Sequence, residues 1–178
     1  MRFVVHVTLV TLALQGGAAL SARLHAQSPA STPAPLGAAC ALLPDDVLDS
    51  ATGLDYGPGD DFSDTEPNGS SDCLWGGLTG VPGARRPMVA LQLKRGVDTP
   101  FPANKPLPRC AREELPGVGD QAYVETCSYD HNSIQGYVKV GRDRLLFDVE
   151  SEKGRPPASA KPTLVKLAKA AVQRIKPA

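Results

Sequence analysis

Residues 133–150 read SIQGYVKVGRDRLLFDVE, and their reading decides the fold. Ile134, Val138 and Val140 fall on one face of an extended chain, because side chains alternate with period two along a strand. After the short polar break Gly141-Arg142-Asp143, Leu145, Phe147 and Val149 alternate with Leu146, Asp148 and Glu150. Two strands joined so tightly form an antiparallel hairpin. Working upstream, Gln121–Cys127 is a further strand. Pro87–Lys94 places Val89, Leu91 and Leu93 on one face, and Asp72–Leu78 carries Cys73 and Trp75 on a shared face. Downstream, Leu164, Leu167, Ala168, Ala171, Val172 and Ile175 recur at helical spacing within 157–175. Near the start, Pro44 with Asp45 and Asp46, then Gly53, mark the two ends of a short helix over 44–52. The Leu54–Asp72 loop is rich in Gly, Asp and Ser. The Pro-rich Arg95–Gly119 connection is irregular, with a helical turn predicted at Ala111-Arg112-Glu113-Glu114. This order predicts an α+β domain: an antiparallel sheet of about five strands, with a short N-terminal helix and a long C-terminal helix packed on it.

The chain has 178 residues, a length that suits one domain, and 42% hydrophobic residues are enough for a packed core. Its 17 Gly and 17 Pro predict a loop-rich fold, and 19 basic against 19 acidic residues argue against a general nucleic-acid binder. Met1-Arg2 is followed by an apolar run from Phe3 to Leu14, then Gly16-Gly17-Ala18-Ala19 and a small residue at Ala26. That pattern predicts a secretory signal peptide over 1–26, cleaved after Ala26, and hence a periplasmic or secreted protein. The run is shorter than the roughly 20 residues that span a bilayer, and no transmembrane segment is predicted in the mature chain. Residues 27–38 read as a flexible Pro/Ala/Ser tether, and 39–178 as a single domain. Cleavage removes Arg2 and Arg23 and no acid, which leaves a formal charge of −2. It also removes His6 and His25, so that a zinc site with two histidines is excluded and any histidine catalysis rests on His131.

Cys40, Cys73, Cys110 and Cys127 all lie in the exported part, and an even number there implies two disulfides. Spacing alone permits three pairings. Cys40–Cys73 and Cys110–Cys127 are favoured: the first staples the opening helix to the first strand, and the second closes the Pro-rich connection onto the strand that follows it. No Cys-x-x-Cys occurs, so a thiolate metal site or a redox pair lacks its usual spacing.

Cys40-Ala-Leu42-Leu43-Pro44, Gly53 after a short helix, Cys73-x-Trp75, Pro116-Gly117-Val118-Gly119-Asp120-Gln-Ala122-Tyr123 and a terminal amphipathic helix occur in that order. The set resembles a domain-of-unknown-function family of secreted bacterial lipoproteins, particularly of actinobacteria, over most of residues 39–176. The resemblance implies a small α+β domain similar in fold to photosystem extrinsic protein P and the Mog1 proteins. It also implies that Cys40 and Cys73 pair. The chain lacks the lipidated Cys of that family, which leaves a soluble exported protein, and the family carries no agreed activity.

Most candidate sites have an ordinary structural reading. Trp75 reads as core, with ligand stacking as the alternative. In the acidic 55–72 loop, Asp64-x-Glu66-x-Asn68-Gly69-x-x-Asp72 imitates a calcium loop. Position twelve is Trp75 instead of Glu, and Pro67 intervenes, so a solvated loop is expected. Asn68-Gly-Ser70 fits a glycosylation pattern, and Gly117-Val-Gly119-Asp120 reads as a turn instead of a dinucleotide loop. Ser50, Ser63, Ser70, Ser71, Ser128 and Ser133 sit in no nucleophile pattern. His131 reads as a polar turn residue. Arg85, Arg86, Lys94, Arg95, Arg109, Arg112, Arg142 and Arg144 read as scattered charge, able to hold an anion only if several meet on one face. The expectation is therefore a non-enzymatic envelope binding module with an envelope protein as partner and no cofactor, metal or nucleic acid. The alternative is a small-molecule or ion receptor with its pocket at the 96–119 connection. A hydrolase using His131 or a carboxylate pair stands third.

Overall fold

The structure, a computed structural model, describes residues 38–63, 69–78, 85–101, 106, 108–128, 132–151 and 155–175. The signal peptide, the tether up to residue 37, Asn68 and His131 lie outside the described residues. Two helices open the domain, α1 (Ala38–Leu42) and α2 (Asp45–Thr52). Seven strands follow: β1 (Asp60–Asp61), β2 (Ser71–Leu78), β3 (Arg85–Lys94), β4 (Cys110–Glu114), β5 (Gln121–Cys127), β6 (Ser133–Val140) and β7 (Asp143–Glu150). A 3₁₀ turn at Pro157–Ala160 leads into α3 (Lys161–Arg174). All pairings are antiparallel, in the order β1-β2-β3-β7-β6-β5-β4.

Two expectations need correction, and one element is added to those expected. The helix expected over 44–52 forms as α2, and a further short helix, α1, precedes it and stops before Pro44, which has no N–H to continue α1 and whose ring would meet the carbonyl of Cys40. Leu43 N instead closes a tight turn onto Cys40 O at 3.2 Å, and α2 starts after Pro44 and ends on Gly53 in the left-handed region, φ 74°. The sheet has seven strands and not about five, since β1 and β4 were hidden in segments that read as loop. The helical turn expected at 111–114 is β4. A lone helical turn is not self-supporting, and here pairing with β5 wins. Ser128 N donates to Arg109 O at 3.0 Å and Leu115 N to Ala122 O at 2.9 Å. With the register Cys110↔Cys127, this puts the two cysteines in a non-hydrogen-bonded pair, where Cα atoms approach most closely. Their Cα atoms are 4.0 Å apart and the sulfurs are bonded. The second disulfide joins Cys40 of α1 to Cys73 of β2.

The hydrophobic face of every long strand turns towards the helices. Trp75, Leu91, Phe147, Ile134 and Val138 are buried there beneath Leu43, Leu48, Leu164 and Leu167. α3 packs closely on β6, where Gly136 has no side chain. A Cβ built on it would lie 2.6 Å from Leu164 Cδ2 and 3.1 Å from Leu164 Cγ. Gly136→Val is therefore expected to lower the unfolding free energy in urea by about 1–3 kcal/mol through overpacking. Substitution of the solvent-exposed Lys169 on α3 should leave the unfolding midpoint in place.

Candidate binding face

The period that turns Val124, Val138 and Phe147 inward turns their neighbours outward, onto a face that no helix covers among the described residues. The register aligns that face in rows. One runs Ala90, Asp148, Gln135, Glu125, Arg112, and the next runs Asp72, Gln92, Leu146, Tyr137, Tyr123, Glu114.

The two rows interlock at β4, β5 and β6. Arg112 donates to Glu125 Oε1 from Nε at 2.8 Å and from Nη2 at 2.6 Å. Glu125 is only 3% exposed, so this is an ion pair largely removed from water, and each partner depends on the other's charge. The Arg112 guanidinium also lies 4.1 Å from the centre of the Tyr123 ring, and Tyr123 stacks on Tyr137 at 4.6 Å. The Tyr137 hydroxyl donates to Gln135 Oε1 at 2.8 Å. Burial, reinforced by the negative charge of Glu125, pushes the Tyr137 phenol up to about 12. Tyr123 moves in the same direction, mainly by burial. Both phenols therefore stay neutral near neutral pH.

The connection leaving β3 crosses one end of this face. Arg95 and the Gly96 N–H both donate to Asp143, at 2.8 Å and 3.1 Å. Arg142 holds Asp98 through Nε and Nη2, and Arg144 Nη2 donates to the carbonyls of Val97 at 3.3 Å and Thr99 at 3.1 Å. The strap so held sets Phe101 against Tyr123, ring centres 5.4 Å apart. Phe101, Arg112, Tyr123 and the Pro116–Asp120 hairpin loop enclose a cavity of about 260 Å³.

These positions settle several sequence readings. Arg95, Arg142 and Arg144 do not gather round an anion: they hold the strap, while Arg112 serves Glu125. Trp75 is buried in the core beside Cys73. Gly117 and Gly119, at φ 76° and 58°, belong to the loop joining β4 to β5. Ser63, Ser70 and Ser71 are tied into hydrogen bonds with Asp61, Asp72 and the Ala39 N–H. The described residues contain no histidine, and among them no group of three His, Cys, Asp or Glu could hold a metal. The Arg112–Glu125–Tyr123–Tyr137 cluster was not foreseen. Its signal was the outward phase of β5 and β6, but Arg112 lay in the stretch read as a helical turn.

Comparison with family models, curated proteins and solved structures finds no match to this chain. What the fold defines is a disulfide-stapled α+β domain whose sheet, among the described residues, has one helix-covered and one open face.

Removing Arg112 alone strands a buried carboxylate. Arg112→Met is expected to cost about 3 kcal/mol or more, and the double variant Arg112→Met/Glu125→Leu to recover most of that loss. Chemical unfolding of the two single variants and the double variant measures the coupling. Equal and additive losses would contradict it.

Proposed function

We propose that this chain is an exported, non-enzymatic binding module of the cell envelope that engages a protein partner through the open face of its sheet. One observation carries the reading: among the described residues the helices cover one face only, and the other presents Phe62, Leu74, Leu146 and Tyr137 partly to solvent, beside a cluster of ion pair and stacked rings. Partly exposed apolar and aromatic side chains on a stiff scaffold are what a protein interface uses. Export is supported by the two disulfides, by the pattern of residues 1–26 and by the order of motifs over 39–176. No helix among the described residues is long and apolar enough to cross a membrane.

Crosslinking the mature chain in its native envelope, followed by mass spectrometry, is expected to recover one dominant protein partner. Leu146→Arg should abolish that capture, while Lys169→Glu on α3 should leave it intact. A partner retained by Leu146→Arg would move the interface elsewhere.

A second reading is favoured by the cavity at the 96–119 connection, whose two aromatic rings and arginine suit a small ligand. Native mass spectrometry of the purified chain would then show a discrete added mass. Phe101→Ala should remove it, and saturating the site should raise the melting temperature. An unliganded mass with no partner-free adduct speaks for the protein-binding reading.

A further inference from the structure

We propose that the segment seated on the open face is a basic, apolar stretch of polypeptide, with one or two apolar side chains flanked by Lys or Arg. This rests on the open-face reading above and names the chemistry of its partner.

The open face carries a shallow trough of about 280 Å³ across β2, β3 and β7, toward the β1 edge of the sheet and away from the strap-bound cavity near β4 and β5. Leu74, Ala90 and Leu146 line it, with Phe62 at its rim. The Phe62 N–H donates to Asp72 O at 2.9 Å, which continues the register of β1 and brings its side chain onto the open face. Phe62 is 63% exposed, one of two large apolar side chains exposed among the described residues, and the other, Leu54, lies away from the trough.

The rim of the trough is acidic. Asp72 lines it, and Asp60 stands opposite Leu74 on β1. Asp72 accepts hydrogen bonds from Gln92 Nε2 at 2.8 Å and from the Ser70 hydroxyl, both neutral groups that leave its negative charge in place. Among the described residues, no basic side chain lines the trough. Lys94 lies on the same face beyond Gln92, at the end of β3, with Arg144 and Lys139 in line with it. An apolar floor supplies buried area, and carboxylates at its edge select the charge of what enters. Nucleic acid, acidic peptides and anionic lipid are repelled by the same groups. Three strand spacings separate β1 from β7, about 14 Å, which about four extended residues span.

The test selects phage-displayed random linear peptides on the immobilised, oxidised mature chain. The enriched peptides are expected to pair apolar residues with Lys or Arg and to bind more weakly as salt rises. Phe62→Ser and Asp72→Asn should each weaken them about tenfold or more, and both variants should unfold at the parent's denaturant midpoint. Acidic or uncharged peptides that still lose binding in Phe62→Ser and Leu146→Arg would overturn the basic partner while the open-face reading stands. Peptides indifferent to both substitutions, or no enrichment above a bare surface, would overturn both. Concentration-dependent self-association abolished by Phe62→Ser would replace the committed partner with a second copy of this chain.

Discussion

The close approach of α3 to the middle of the sheet is the constraint on which the rest of the structure depends. Leu164 occupies space that a side chain at position 136 would need, so that α3 lies directly over the inward residues of β6 and β7. That placement commits one face of the sheet to the core. It also concentrates the helices on one side, with α1 held there by Cys40–Cys73 and α2 packed alongside α3. The other face has no covering helix among the described residues and must satisfy its polar groups by itself.

It does so with pairs that span strands. Arg112 and Glu125 neutralise each other beneath the tyrosine stack, and Gln135 links Tyr137 towards Asp148, its Nε2 lying 3.5 Å from Asp148 Oδ2. A buried ion pair adds little net stability compared with well-packed apolar groups, but breaking it is costly, so it ties the positions of β4 and β5 together. The Cys110–Cys127 bridge enforces the same register covalently. At the free edge, β4 presents Glu113 and Glu114, charges that discourage another chain from extending the sheet. Glu113 is further engaged by Lys161 at the start of α3, across from the open face.

Most of the fold was legible because its elements bury one side chain in two along strands or in a stripe along a helix. Val89, Leu91 and Leu93, or Leu145, Phe147 and Val149, are buried in the alternation their letters display. β1 and β4 were not legible. A two-residue strand has no period to read, and the Ala-Arg-Glu-Glu of β4 has helical preferences worth only about half a kcal/mol per residue, which cross-strand pairing overrides. The candidate face was hidden for a related reason. Tyr123, Glu125, Gln135 and Tyr137 are visible as outward positions, but the phase of a strand does not say which residue of another strand stands opposite.

Local patterning by itself determined the α+β class, the inward side chains of four strands and of α3, the glycine that ends α2, and an even set of cysteines. Those follow from period, capping and covalent chemistry, which act between residues near in sequence. The strand order, the arginine-held strap, the Arg112–Glu125 pair and the acidic trough below Phe62 were decided only by tertiary structure. Each joins residues far apart in the chain, and such contacts exist only after the register of the sheet has brought their strands side by side.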